Sequence, residues 1–340
     1  MADVAESDFL LASRGRAEDL SGWVIGALFD TQDRLAFALA DGSVHLAGMQ
    51  DEWKAVAAHD AGLLSACADF KEGWLTGGDD GLLVRVAPDG TTTTLADYKG
   101  KWVDHVAAHE SGLRAAAVGK NLHILGPGGP LKTLAHPSSV GGIAFDAKGK
   151  RVAASHYNGA SLWFVAAKED KPRVLEWKGS HHAIAFSPDG THVVTAMQEP
   201  SLHGWRLADG QHMRMSGYPG KTRSLSFTAR GRWLATSGAE SVVLWPFFGG
   251  GPMGKAPTEL AGGDQVFCTA VACHPQHEVV AAGFGDGLVL IAEVASGKVV
   301  PVAPPSDSPV SVLSWSPSGA LLAFGTEAGR AGVIDLARRA

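Results

Sequence analysis

The 340-residue chain carries three clusters whose residue types and spacing are those of reactive or ligand-holding sites. The first, Gly249 through Gly254-Lys255, has the spacing of a phosphate-binding loop, in which glycines let backbone N–H groups reach phosphate oxygens and the lysine neutralises them. Ala256 stands where a metal-binding Ser or Thr is needed. Pro257 opens an expected strand rather than the helix whose N-terminus would hold the anion. The segment therefore reads as a glycine-rich connection, with Phe247 and Phe248 beside it either as a contact pair or as packing residues.

The second cluster is Cys273-His274 with His277, which would hold zinc if a fourth ligand arrived. No second pair has zinc-finger spacing, and Cys273 occupies a slot filled elsewhere by Phe186 and Phe227, so a buried thiol beside solvated histidines is the expectation. The third is the histidine-rich stretch His181, His182, His192, His203 and His212. There the strand pattern sets His181 and His192 on opposite faces, which keeps them from sharing an ion. No serine or cysteine nucleophile has a recognisable local context, and the acids fall mostly in turns, where capping accounts for them. The expectation is no catalytic residue, no metal and no cofactor.

What positions these residues is a repeat. A short apolar segment followed by a small residue recurs at Leu35, Leu75, Arg114, Val152, Val194, Leu234, Val280 and Leu322, at separations of 38 to 46 residues. That is close to the ~40–45 residues of a four-stranded propeller blade. Within a unit, an alternating strand such as Ala183-Ile184-Ala185-Phe186 meets the turn Ser187-Pro188-Asp189-Gly190 and returns as His192-Val193-Val194-Thr195. Proline presets φ for the turn and glycine accepts positive φ at its end. Asp41-Gly42, Asp80-Gly81, Asn158-Gly159 and Asp286-Gly287 suit the tight hairpin that follows. Third turns such as Pro88-Asp89-Gly90 lead to a fourth strand. The 46-residue spacing contains the glycine-rich segment.

The phrases Ile184 to Gly190, Leu225 to Thr236 with Val242 to Trp245, and Val312 to Leu322 with Val333 to Asp335 resemble WD repeats. The resemblance covers all eight units and implies one all-β propeller domain over residues 1–340, eight-bladed with seven as the alternative count. The dipeptide that names the family is absent; its places read Trp163-Phe164, Trp205-Arg206, Trp245-Pro246 and Ile334-Asp335. The family's buried tetrad of His, Ser or Thr, Asp and Trp is approximated in unit four alone, by His136, Ser155, Asn158 and Trp163, so apolar packing is expected to hold most blades. Unit eight lacks a fourth strand. Within the N-terminal segment 1–20, Phe9-Leu10-Leu11-Ala12 is expected to supply it beside Gly332 to Leu336 and so close the ring.

The resemblance also implies a docking face built from first-strand starts and second-turn loops. It collects Trp23, Lys101, Trp102, His181, Lys221 and Phe267 with Asp79, Tyr157 and Glu199, with wedging of Trp23 and Trp102 between blades as the competing reading. The expected function is a non-catalytic scaffold binding a partner protein or peptide; an accessory protein handling a small ligand or metal ion is the alternative. Twenty-nine basic and 35 acidic residues, net −6 without a basic stripe, argue against nucleic acid. Met1 to Asp8 is acidic and not a signal peptide, and the apolar run Val279 to Val294 is interrupted by glycines and acids, so no membrane is expected. Three unevenly spaced cysteines fit a cytoplasmic protein. Abundant Ala and Gly with two asparagines point to a bacterial source, and the chain is expected to be a monomer by itself.

Overall fold

The turn residues do what their types require. In Ser187-Pro188-Asp189-Gly190, Gly190 adopts φ 67°, its N–H closes on the Ser187 carbonyl at 2.7 Å, and the Asp189 carboxylate accepts the Thr191 N–H at 3.0 Å. Just past each first strand the same position supplies a side-chain acceptor for a backbone N–H of the turn: Asp30, Asp69, His109, Asp146, Ser187, Thr228, His274 and Ser316. These side chains satisfy N–H groups that the hairpin ladder leaves over.

The computed structural model describes residues 8–262 and 265–337. Its strands are antiparallel neighbours throughout, and the one helix among the described residues is Leu10–Arg14. Residues 24–57, 63–97, 105–135, 225–262 and 268–303 each form a four-stranded sheet in chain order. Val310–Trp315, Leu321–Thr326 and Arg330–Asp335 form another with Gly15–Asp19 as its fourth strand.

Residues 142–216 correct the expected count of eight. They make a single six-stranded sheet, so seven sheets form where eight separate four-stranded blades were expected. The reason lies in two long strand segments: Arg151–Phe164 doubles back at Asn158 (φ 68°) and Gly159 (φ 134°), so that the Val165 N–H meets the Lys150 carbonyl at 3.0 Å, and Arg173–Phe186 runs on from one unit into the next. Arg173 to Glu176 lies opposite Leu162 to Gly159, Ser180 lies opposite Tyr157, and His181 to Phe186 lies opposite Met197 to Val193, so Arg173–Phe186 pairs with unit four through its first half and with unit five through its second and joins them in one sheet. Gly141 and Gly142 let the first strand of unit four lie close against that of unit five: a Cβ on either would come within 2.3 Å of the His181 or His182 carbonyl oxygen.

The closing strand is also corrected. Gly15–Asp19, not residues 9–12, pairs with Arg330–Asp335, in the register Gly15 to Ile334 through Asp19 to Arg330. Phe9 is buried with Leu244, Leu260 and Leu290, while Leu10 and Leu11 pack with Val302, Leu322 and Ile334. The apolar residues read as a strand are thus core plugs, and the strand is the polar segment after them because an edge strand faces water. Deleting residues 1–19 should lower the melting temperature by roughly 3–8 °C, since it removes this ladder and opens two apolar clusters. A melt unchanged from the full chain would show that the segment contributes nothing.

The chain divides into two compact units, one comprising residues up to 39, 45–54 and from 218 onward, the other residues 40–44 and 55–217. In the first, apolar clusters form around Phe284 and Leu290, around Phe324 and Leu322, and around Phe37 and Leu39, where Trp53 stacks on Phe37 at 5.1 Å. The second is built around Leu122 and Trp163, around Leu162 and Trp205, and around Leu75 and Leu83.

Polar sets of the tetrad kind are also more widespread than the one expected in unit four, a third departure from expectation. His59 Nδ1 meets the Asp80 carboxylate at 3.0 Å and its Nε2 meets the Thr76 hydroxyl at 2.9 Å. His181 Nδ1 bonds the Thr195 hydroxyl at 2.7 Å, and Tyr218 links Thr236 at 2.7 Å to the Trp245 indole N–H at 2.5 Å. In unit four the Trp163 indole N–H donates to His136 at 3.1 Å, but Ser155 turns instead to the His182 carbonyl and Asn158 stays in the turn with φ 68°. Polar triads of the tetrad kind therefore recur in several sheets, with tyrosine replacing histidine in one.

Candidate functional site

The first strands of neighbouring sheets are tied by hydroxyl groups. In the first unit, Ser224 donates to the Val271 carbonyl at 3.1 Å, Thr269 to Val310 at 2.7 Å, and Ser311 to Val24. Thr269 and Ser311 sit at register shifts, where a bulge places the hydroxyl between the carbonyl of its own sheet, Gly283 at 3.2 Å or Gly325 at 3.1 Å, and that of the next sheet. In the second unit, Ser65 accepts the Val106 N–H at 2.9 Å. These ties hold the loops that start the first strands in place.

On the first unit those loops carry Trp23, Lys221 and Phe267. Trp23 is 50% and Phe267 41% exposed. Phe267 lies over Gly220, where an added Cβ would meet its ring at 2.9 Å, which brings it beside Lys221. A cavity of about 280 Å³ is lined by Trp23, Arg223, Ser224, Thr269, Ser311 and Glu327 among others, with Arg223 and Glu327 paired at 3.5 Å. Arg223 and Glu327 escaped the sequence reading. The signal for Arg223 was its place two residues past Lys221 in the same first-strand start.

On the second unit, the Val103 N–H bonds the Gly78 carbonyl at 3.0 Å, and an added Cβ at Gly81 would meet the Lys101 nitrogen at 3.0 Å, so Lys101 and Trp102 pack onto the hairpin that carries Asp79. Trp102 is 59% exposed. A second group gathers where Asn158 accepts the Gly179 N–H at 3.3 Å and Glu199 borders Gly179, placing Glu199 near Tyr157, itself 58% exposed. His181 does not belong to the surface. It is 1% exposed, its Nε2–H donates to the Trp177 carbonyl at 3.1 Å, and burial pushes its pKa below the usual histidine value, so it holds the sheet from within. The reading of Trp23 and Trp102 as wedges is likewise not what their exposure shows.

The reactive-looking clusters resolve into structural roles. His274 Nδ1 accepts the Gln276 and His277 N–H groups at 3.0 and 3.1 Å while Nε2 donates to the Gly319 carbonyl at 3.2 Å, so both nitrogens are committed to the turn-cap position. Cys273 points away and donates to the Ser226 carbonyl, and burial pushes its thiol up to about 12. Cys67 and Cys268 are raised to about 12 by burial as well. Lys255 folds back onto the carbonyls of Phe248 and Gly249, Phe247 is buried against Phe227, and Phe248 is 40% exposed. Among the described residues, no three His, Cys, Asp or Glu side chains converge as a metal site, and no helix is long and apolar enough to cross a membrane.

Repeated antiparallel sheets of consecutive strands define a β-propeller, and its loops carry the exposed aromatic and basic residues. No protein-family model matches the chain. Autophagy-related protein 16 of Arabidopsis thaliana is 26% identical over 278 residues, which cover 78% of this chain and 54% of that protein. Telomerase protein component 1 of Rattus norvegicus is 26% identical over 318 residues, 87% of this chain and 11% of that protein. The chain thus spans about half the length of the first relative and about a tenth of the second. Among solved structures, the computationally designed Ika8 protein superposes with a TM-score of 0.75 over 94% of this chain and 98% of that one, at 17% identity, a likeness of fold alone.

Proposed function

We propose that the chain is a WD-repeat-like interaction platform that binds a partner protein or peptide through its first-strand and hairpin loops, without catalysing a reaction. The observation that carries this reading is the exposure of Trp23, Trp102, Tyr157 and Phe267, between 41% and 59%, beside Lys101, Lys221 and Arg223. Large aromatic rings left in water at loops cost solvation that a partner would recover, and aromatic and arginine side chains dominate interface energetics. The distant likeness to autophagy-related protein 16 and telomerase protein component 1 supports a role as a module within larger assemblies. Three unpaired cysteines fit a cytoplasmic setting.

Trp102→Ala tests this directly. Because the ring is largely in water, the substitution should leave the melting temperature unchanged within about 1 °C while cutting recovery of the partner on affinity purification from native cells at least tenfold. Loss of the fold, or recovery equal to that of the unmutated chain, would remove Trp102 from the binding surface.

A further inference from the structure

Each sheet ends in an outer strand whose far edge has no strand beside it, and such edges invite pairing with another chain unless they are guarded. Every outer strand among the described residues holds a charge or a proline, and they differ in the length of the run left open. Lys54–Ala57 begins with Lys54, Gly129–Ala135 holds Pro130 and Lys132, and His212–Ser216 holds Arg214. Thr258–Gly262 holds Glu259, Val299–Ala303 holds Pro301, and Gly15–Asp19 holds Arg16, Glu18 and Asp19. Thr92–Asp97 leaves the longest run: its one charge, Asp97, stands at its end, Thr92, Thr93 and Thr94 are all exposed, and five residues pass without a charge or proline against at most three in the strands just named.

The phase of this edge is fixed by its own hairpin. The Ala87 N–H bonds the Thr91 carbonyl at 2.8 Å, and Arg85 lies opposite Thr93. Antiparallel ladders alternate every residue, so Thr91 and Thr93 direct their backbone groups toward the neighbouring strand, and Thr92 and Thr94 direct theirs outward. We propose that this edge is a self-pairing surface, at which two copies of the chain join as antiparallel strands about a two-fold axis at Thr93. That axis sets Thr92 of each copy opposite Thr94 of the other. All four residues then offer outward N–H and C=O groups, and Thr93 faces its own copy in the closer, non-hydrogen-bonded pair. Threonine favours the pleated conformation and forms stabilising cross-strand pairs. No like charges are opposed in the three-residue overlap, and Asp97 lies beyond it.

An overlap this short gives weak association, so sedimentation equilibrium should show the mass rising from one chain toward two between about 10 μM and 1 mM. Thr93→Lys opposes two ammonium groups at the axis and should weaken association at least tenfold. Thr93→Cys should form a disulfide-linked dimer under mild oxidation at least ten times faster than Thr258→Cys on a guarded outer strand. The native thiols are buried and raised to about 12, so they do not compete. Thr93 is exposed, and an unchanged melt for each variant confirms that it folds. The proposal is overturned if the chain stays a monomer at 1 mM, if Thr93→Lys still dimerises like the parent, or if the two cysteine variants cross-link at equal rates.

Discussion

Replacing Asp69 with alanine should lower the melting temperature by roughly 5–10 °C, the counterpart of about 3–5 kcal/mol. Asp69 is 3% exposed and sits just past the first strand of the 63–97 sheet. Its carboxylate accepts the Phe70 N–H at 2.9 Å, Arg85 Nε at 3.1 Å, and from Arg114, on the 105–135 sheet, Nε at 2.8 Å and Nη2 at 2.7 Å. Arg114 in turn lies over the Phe70 ring at 4.6 Å. One carboxylate thus caps a turn and ties two sheets, and its loss leaves two guanidinium groups, with side chains 25% and 11% exposed, lacking their anion. Asp69→Asn keeps the cap but not the charge and should fall between the two. The exposed Asp209, paired with Arg206, is the control: Asp209→Ala should leave the melt unchanged. An Asp69→Ala melt within 2 °C of the parent would show that the Arg85 and Arg114 contacts add nothing to the fold.

The same position also shows how far the fold was legible. The side-chain acceptor after each first strand is visible in the sequence as Asp146 or Ser187 preceding a turn, because turn chemistry is local. Its occupation by His274 was not, and the ring was read first as a metal candidate; the geometry makes it one more cap. Features that depend on distant partners stayed hidden. Gly15–Asp19 has half-buried residues and a polar sequence, as an edge strand does, so an apolar pattern search favours Phe9 to Ala12 instead. The joining of residues 142–216 into one sheet rests on Arg173–Phe186 pairing with a different neighbour through each half, which no periodicity displays. Tyr218 and Thr236 take tetrad positions with a different residue, so matching letters misses them while matching geometry does not. Of the binding surface, exposure itself was illegible. Trp102 stands one residue before buried Val103, as Trp23 stands before Val24, and is largely in water, whereas His181, paired opposite Met197 as Val24 is opposite Leu39, is buried.

The second large expectation is acid lability set by histidines that the fold keeps neutral. His203 is fully buried, stacked on Trp177 at 4.0 Å and against His212 at 5.2 Å, with the Trp205 edge at 4.9 Å, and neither ring nitrogen has a hydrogen-bond partner among the described residues. Burial, followed by the neighbouring His212, His181 and Arg214, pushes its pKa down to about 3. His136, 5% exposed, is pushed down to about 4 by burial and by His156. Both folded values lie below the ordinary 6.5, so between pH 6.5 and about 4 the unfolded chain binds two protons that the folded chain refuses. Stability is then full above about pH 7 and falls as the pH drops, by about 1.4 kcal/mol per pH unit for each histidine and by about 2.7 for the pair. Burial lowers His105, His123, His192 and His274 in the same direction. Urea midpoints at pH 7.5, 6.0, 5.0 and 4.5 should therefore decline steadily, with the steepest change below pH 6. His203→Phe keeps a flat ring against Trp177 and removes both the ionisation and the unpaired nitrogens. It should raise stability at pH 7.5 by about 1 kcal/mol and reduce the acid slope by about 1.4 kcal/mol per unit. A slope equal to that of the parent would mean that His203 takes up its proton in the folded state as readily as in the unfolded one, and that the ring stack is open to water.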